Sequence, residues 1–236
     1  GIPKTIDNDV RYVTRTFGYG TAVAEATRVI QSAHTEARSV DNGVSVVKLM
    51  GRHAGFIAAA ATVASQEVNF CLVPEVPFAL EGESGLFAAL ERRLARKAHA
   101  VVVVAEGAGQ DLLGSSNERD ASGNLKFGDI GVFLKERIGA YFQKLGMDAT
   151  LKYIDPSYII RGVPANPYDS AFCLLLGQNA VHAGMAGRTN MVVGLWMGTF
   201  THMPIPLAVS QRKKVDPESW VWSSVLTSTG QPKDMR

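Results

Sequence analysis

Pro3-Lys4-Thr5-Ile6-Asp7-Asn8-Asp9 lies at the start of a chain of 236 residues. Two carboxylates sit two residues apart, preceded by a Thr hydroxyl and a Lys ammonium. In an extended or turning segment, residues i and i+2 point the same way, so Thr5, Asp7 and Asp9 can line one wall of a cleft. Such a set suits an alcohol proton acceptor at Asp7, a cation-facing carboxylate at Asp9 and a phosphate or hydroxyl contact at Thr5. The same residue types also suit an Asx-rich turn that caps the next helix. Composition alone favours the turn.

Outward from this stretch the sequence alternates between helix and strand patterns. Residues 16–34 read as a helix, with Ala22, Ala26, Val29, Ile30 and Ala33 at three-four spacing. Its leading end carries Thr16, Gly18, Gly20 and Thr21, which either meet a phosphate at the helix N-terminus or only cap it. Residues 44–50 form a β-branched run after the turn signal Asp41-Asn42-Gly43 and read as a buried strand. The almost wholly apolar segment 54–65 reads as a helix buried on most of its surface. Further strands are expected at 69–73, 100–105, 151–154 and 191–196, and further helices at 84–98, 129–144 (capped by Asp129) and 169–183. A polar loop spans 112–127, and the Met and Trp residues from Met185 to Met203 are expected in the core. The tail from Val209 sets Arg212-Lys213-Lys214 beside Trp220, Trp222 and Val225, a basic turn followed by a short helix. This order argues for a parallel sheet with helices on both faces. The valine run 101–104 is typical of a strand covered on both sides.

Hydrophobic content of 46% and charged content of 19% are those of a globular protein with one large domain or two small ones. A net charge of +2 gives no reason to expect nucleic acid or a membrane surface as partner. No apolar run is long enough for a membrane span. Cys71 and Cys173 lie in apolar runs and read as buried reduced thiols of a cytosolic protein. The histidines lack metal-ligand spacing, and no Walker or Gly-x-Gly-x-x-Gly loop occurs. The chain begins inside a motif and without Met, so we expect it to be the C-terminal part of something longer.

In parallel α/β sheets, ligands bind beyond the carboxyl ends of the strands. Three expected strands end there in polar groups: Met50-Gly51-Arg52, then Glu106-Gly107-Ala108-Gly109, then Tyr158-Ile159-Ile160-Arg161. Each has a plain alternative, a surface ion pair for Arg52, a turn cap for Glu106 and a domain-bridging salt bridge for Arg161. Their convergence on the edge where Asp7 emerges carries more weight than any one of them.

Several long motifs, in order, give the chain a family resemblance. Pro-Lys-Thr-Ile-Asp-Asn-Asp (3–9) is followed by Val-Lys-Leu-Met-Gly-Arg-His-Ala-Gly-Phe-Ile-Ala (47–58) and Pro-Glu-Val-Pro-Phe (74–78). Val-Ala-Glu-Gly-Ala-Gly-Gln-Asp (104–111) and Lys-Tyr-Ile-Asp-Pro-Ser-Tyr-Ile-Ile-Arg (152–161) complete the set. Together they resemble the C-terminal half to two-thirds of the 6-phosphofructokinases, and most closely the branch with plant, trypanosomatid and many bacterial ATP-dependent enzymes. The resemblance implies a Rossmann-like parallel α/β fold lacking its N-terminal nucleotide-binding part. It divides the chain into the end of the nucleotide-side domain (1–16), a sugar-phosphate-binding domain (17–160) and a returning C-terminal segment with the tail (161–236).

The activity implied is glycolytic phosphoryl transfer from ATP to the 1-hydroxyl of fructose 6-phosphate, with Mg²⁺, in a cytoplasmic, allosteric homo-oligomer (dimer or tetramer). Asp7 becomes the general base, Thr5 a sugar-phosphate contact, and Asp9 a group near the metal. Arg52 offsets charge on the transferring group, and Lys4 faces the donor phosphate. Ile6, Met50, Gly51, Arg52, Glu106, Tyr158, Ile159, Ile160 and Arg161 become substrate contacts. Tyr158 stands where better-known bacterial enzymes carry His, and still donates a hydrogen bond. Pyrophosphate remains an alternative donor, because Lys4 fits either. A sugar-phosphate-binding regulatory subunit without turnover is the reading from another class.

Overall fold

The computed structural model describes residues 1–114 and 127–235. Its centre is a four-stranded parallel sheet in the order β2-β3-β1-β4, formed by β1 (Gly43–Leu49), β2 (Phe70–Leu72), β3 (His99–Ala105) and β4 (Thr150–Ile154). Alternate side chains along β3 face opposite layers, which is why a continuous valine run works there. Val101, Val103 and Ala105 face one apolar layer, while Ala100, Val102 and Val104 face the other.

The first layer holds α1 (Tyr19–Arg38), α2 (Phe56–Ser65) and α8 (Trp220–Thr229). The second holds α3 (Leu86–Lys97) and α4 (Ile130–Lys144), the latter capped by Asp129, which accepts from the N–H groups of Gly131 and Val132. The expected α1 starts three residues late, at Tyr19, because Gly18 adopts a left-handed φ of 92°, and it runs on to Arg38.

The strand expected at 191–196 is present as β5 (Met191–Trp196) but not in the parallel sheet. It pairs antiparallel with β6 (Thr199–Pro204), a strand the sequence did not announce. The turn between them is Met197-Gly198, with φ of 49° and 81°. Two consecutive positive φ values make a type I′ turn, whose hand matches the twist of a hairpin. The hairpin packs with α6 (Pro167–Met185) and Phe17 in a separate small cluster. Its tip explains one failed expectation: Met203 is buried, whereas Met197 stands 83% exposed. Met185, the last residue of α6, is exposed as well, and so is Cys173, which the sequence placed inside. Cys71 is buried. Two short helices were also not foreseen, α5 (Ser157–Arg161) and α7 (Ile205–Ala208). The polar loop expected at 112–127 falls mostly outside the described residues; its start is a 3₁₀ turn, Gln110–Leu113.

The C-terminal tail wraps back onto the sheet. Gln231 accepts from the Cys71 N–H at 2.7 Å, and its amide donates to the Cys71 carbonyl at 3.3 Å. Trp222 and Val225 of α8 are fully enclosed against α2 and β2. Truncation of the enclosed indole leaves a cavity that α2 cannot fill, so Trp222→Ala should lower unfolding stability by about 3–5 kcal/mol. Urea denaturation checks this; an unchanged midpoint would show the tail to be an ornament.

Candidate active site

One crossing of two backbones sets up the strand ends. The Gly107 N–H donates to the Gly51 carbonyl at 3.2 Å, and a Cβ at Gly107 would lie 2.0 Å from the Arg52 carbonyl oxygen. Gly51 itself holds a φ of 136°, open in practice only to glycine. The loops after β1 and β3 therefore touch backbone to backbone, and Arg52 and Glu106 emerge side by side.

The opening segment lies across these ends in a closed loop. Buried Asn8, at φ 57°, accepts from the Thr16 N–H at 3.0 Å, and the Thr16 hydroxyl donates to the Thr5 carbonyl at 2.6 Å. The Thr5 hydroxyl accepts from the Asp7 N–H at 3.2 Å. Asn8 and Thr5 thus make a turn, and the turn carries Asp7. The backbone N–H of Arg52 donates to the Asp7 carboxylate, whose Oδ1 is buried without a partner among the described residues.

A cavity of about 410 Å³ brings together Lys4, Thr5, Ile6, Asp7, Met50, Ile160 and Arg161. The other expected residues stand outside it. Gly51 is buried beneath, and Glu106 lies close enough to feel the charges of Arg52 and Arg161. Arg52 opens onto a neighbouring cavity of about 670 Å³ with His53, Arg212 and Lys214. Tyr158 is 86% exposed and Ile159 exposed, on the outer side of α5, with the Arg161 guanidinium 5.5 Å from the Tyr158 ring. Asp9 is buried and paired to Arg212 at 2.7 Å. Arg212 is the partner that sequence reading missed; its only signal was the basic run in the tail.

The leading end of α1 is not open to a ligand through Thr21. The buried Asp169 carboxylate, from the first turn of α6, takes the Thr21 N–H at 2.6 Å and its hydroxyl at 2.7 Å. Of the two readings of that helix end, capping holds at Thr21. Gly18 and Thr21 still line the cavity.

Burial pushes the Asp7 carboxyl up to about 6, reinforced by Asp9 and Glu106 and opposed by Arg212 and the Arg52 N–H. Burial also raises Glu106, against the pull of Arg52, Lys48 and Arg161. It lowers Lys213 to about 8, with Asp9 opposing. Among the described residues no group of three or more His, Cys, Asp or Glu is placed to hold a metal ion.

The raised Asp7 value has a sign that can be measured. Between its ordinary value of 3.8 and about 6, the folded protein retains a proton that the unfolded chain releases. Stability therefore falls as pH rises through that window and stays lower above it. Asp7→Asn removes this dependence, so above pH 7 the variant should be more stable than the parent by about 1–3 kcal/mol. Urea titrations at pH 4 and pH 8 read the difference; an equal gap at both would refute it.

A family model described as Phosphofructokinase matches residues 1–184. ATP-dependent 6-phosphofructokinase of Borreliella burgdorferi is 50% identical over all of the chain and 54% of its own length. ATP-dependent 6-phosphofructokinase 1 of Arabidopsis thaliana is 50% identical, over all of the chain and 51% of its own length. The Trypanosoma cruzi ATP-dependent enzyme is 45% identical, over all of the chain and 49% of its own length. The chain thus spans about half the length of the curated relatives it matches. Among solved structures, the pyrophosphate-dependent phosphofructokinase of Marinobacter aquaeolei superposes with a TM-score of 0.72 at 21% identity, over 97% of this chain and 59% of its own. That likeness concerns the fold.

Proposed function

We propose, for a chain that belongs to the phosphofructokinase family, that it forms the sugar-phosphate side of an enzyme phosphorylating the 1-hydroxyl of fructose 6-phosphate. The observation that carries this is Asp7: a carboxyl raised to about 6, with one oxygen unpartnered among the described residues, in a cavity lined by the cations Lys4 and Arg161. A base poised near neutral pH beside cations is what removing an alcohol proton next to a phosphate ester requires.

Asp7 accepts the hydroxyl proton while the Arg52 N–H holds its carboxylate in place. Arg161 meets the sugar phosphate, Thr5 and Met50 contact the sugar, and Glu106 accepts from its hydroxyls. Lys4 and Arg52 offset charge on the group in transfer, so catalysis is positioning and charge stabilisation. Tyr158 and Ile159, on the outer side of α5, close over the ligand only if α5 moves. Residues 1–16 belong to the nucleotide side, 17–160 to the sugar-phosphate domain and 161–236 to a segment returning to the first domain plus the tail, whose α8 packs on the sheet.

The relatives' names favour ATP over pyrophosphate as donor. For Mg²⁺ the chain offers Asp9, already tied to Arg212. A single carboxylate fits a cation held mainly by donor phosphates. When bound, Mg²⁺ neutralises charge on those phosphates. A cytoplasmic homo-oligomer, dimer or tetramer under allosteric control, completes the reading.

The protein as the cell makes it, given Mg²⁺ and fructose 6-phosphate, should form fructose 1,6-bisphosphate with ATP. Product with pyrophosphate alone would move the donor assignment, and no product with either would sink the function. Asp7→Asn should lower kcat by about 10²–10⁴ while calorimetric sugar-phosphate affinity persists. In the parent, kcat/KM should fall below pH 6 as Asp7 takes up its proton. An acid limb retained in the residual activity of the Asn variant would assign the base elsewhere.

A further inference from the structure

A half-buried lysine beside the site has no part in the reaction just described. Lys48 lies on β1, one residue beyond the last β1–β4 register pair, Val47 with Ile154. Its side chain is 14% exposed, and its ammonium sits 2.8 Å from Asp129 and 2.9 Å from Asp155. Both partners have second tasks. Asp129 caps α4 and accepts from the Tyr153 hydroxyl at 2.9 Å and 3.0 Å through its two oxygens. Asp155 accepts from the Ser157 N–H at 3.1 Å and from the Ser157 hydroxyl, and so holds the first turn of α5.

α5 has only five residues, and Ile160 is its one buried side chain. At its far end Arg161 returns a hydrogen bond to the Ser157 carbonyl at 3.2 Å. A helix this short does not hold itself in water. Its place must come from what grips its ends, and the grip at the leading end runs through Asp155 to Lys48.

We propose that Lys48, through Asp155, is a positioning residue that fixes α5 and thereby presents Arg161 to the phosphate of the sugar substrate. The inference rests on the function proposed above. Lys48 is not among the residues that line the substrate cavity; its ion pairs tie the end of β1 to the start of α5 and the cap of α4. A lone exposed pair would carry little, but a mostly enclosed ammonium shared between two carboxylates is a network, and removing it leaves Asp129 and Asp155 facing each other.

Charge alone makes a competing account. Lys48 and Asp155 both lie within electrostatic reach of Glu106. If the pair acted only through the field felt by an anionic substrate, losing the lysine would weaken binding and losing the aspartate would strengthen it. Positioning predicts that both losses weaken it. The test is steady-state kinetics with fructose 6-phosphate on the protein as the cell makes it. Lys48→Met and Asp155→Asn should each raise KM about tenfold with kcat within about threefold of the parent. Lys48→Arg, which keeps a cation able to bridge two carboxylates, should return KM to near the parental value. A lowered or unchanged KM in Asp155→Asn overturns the proposal. So does a fall in kcat at constant KM in both variants. If Lys48→Met does not fold, Asp155→Asn alone decides. Absence of turnover in the parent overturns the functional reading and this inference together; parental turnover with unmoved KM in Asp155→Asn overturns this inference alone.

Discussion

The crossing of two backbones at Gly51 and Gly107 is the constraint on which the site depends. Parallel strands deliver their ends to one edge, but adjacent strand ends usually diverge as their loops turn away. Here the loops stay in contact because neither carries a Cβ at the crossing. The Glu106 N–H continues the ladder to the Leu49 carbonyl at 2.9 Å, and the Gly107 N–H extends it by one more bond. At Gly55 the missing Cβ makes room for a side chain instead, since a Cβ there would lie 2.3 Å from a methyl of Val73 beyond β2. The ends of β1 and β3 are thus fixed to each other by backbone, and the segment beyond β2 joins them through side chains. Side chains at the edge are free for chemistry.

Three carboxylates, Asp7, Asp9 and Glu106, gather at that edge, and the last two add to the burial that raises Asp7. The compensation arrives from far along the chain. Arg212 pairs with Asp9, the Lys213 N–H donates to the Asp9 carbonyl at 2.8 Å, and its ammonium caps the Val13 carbonyl at 2.7 Å. The same tail is fastened to the sheet by Glu75, which accepts from the N–H groups of Gly55 and Val215. The segment beyond residue 184, where the family match ends, therefore supplies the charge balance for a motif at the chain's beginning.

How much of this was legible in the sequence follows from the range of each interaction. The parallel sheet, its buried valines and the helix cap at Asp129 are local patterns, and all are present. The convergence of Asp7, Met50 and Arg161 needed only the rule that strand ends carry ligands. The hairpin was missed because its turn uses Met197-Gly198, where Asn-Gly would have signalled positive φ at both positions. Met185 and Cys173 were misplaced because α6 is apolar around most of its circumference, so periodicity could not tell its inner face from its outer one. Arg212 opposite Asp9 and Lys48 between Asp129 and Asp155 are contacts between distant residues. No pattern within one window of sequence encodes them.

Asp169 has a consequence of another kind. Its carboxylate sits on the Thr21 N–H, at the positive end of α1, where a phosphate might otherwise bind. It is in effect a resident competitor, tethered at a concentration no soluble anion can match. The helix end is thereby spent on joining α1 to α6, and among the described residues the cations that line the cavity are Lys4 and Arg161. A site of this kind grips an anion through ammonium and guanidinium side chains in place of the backbone dipoles of a helix end.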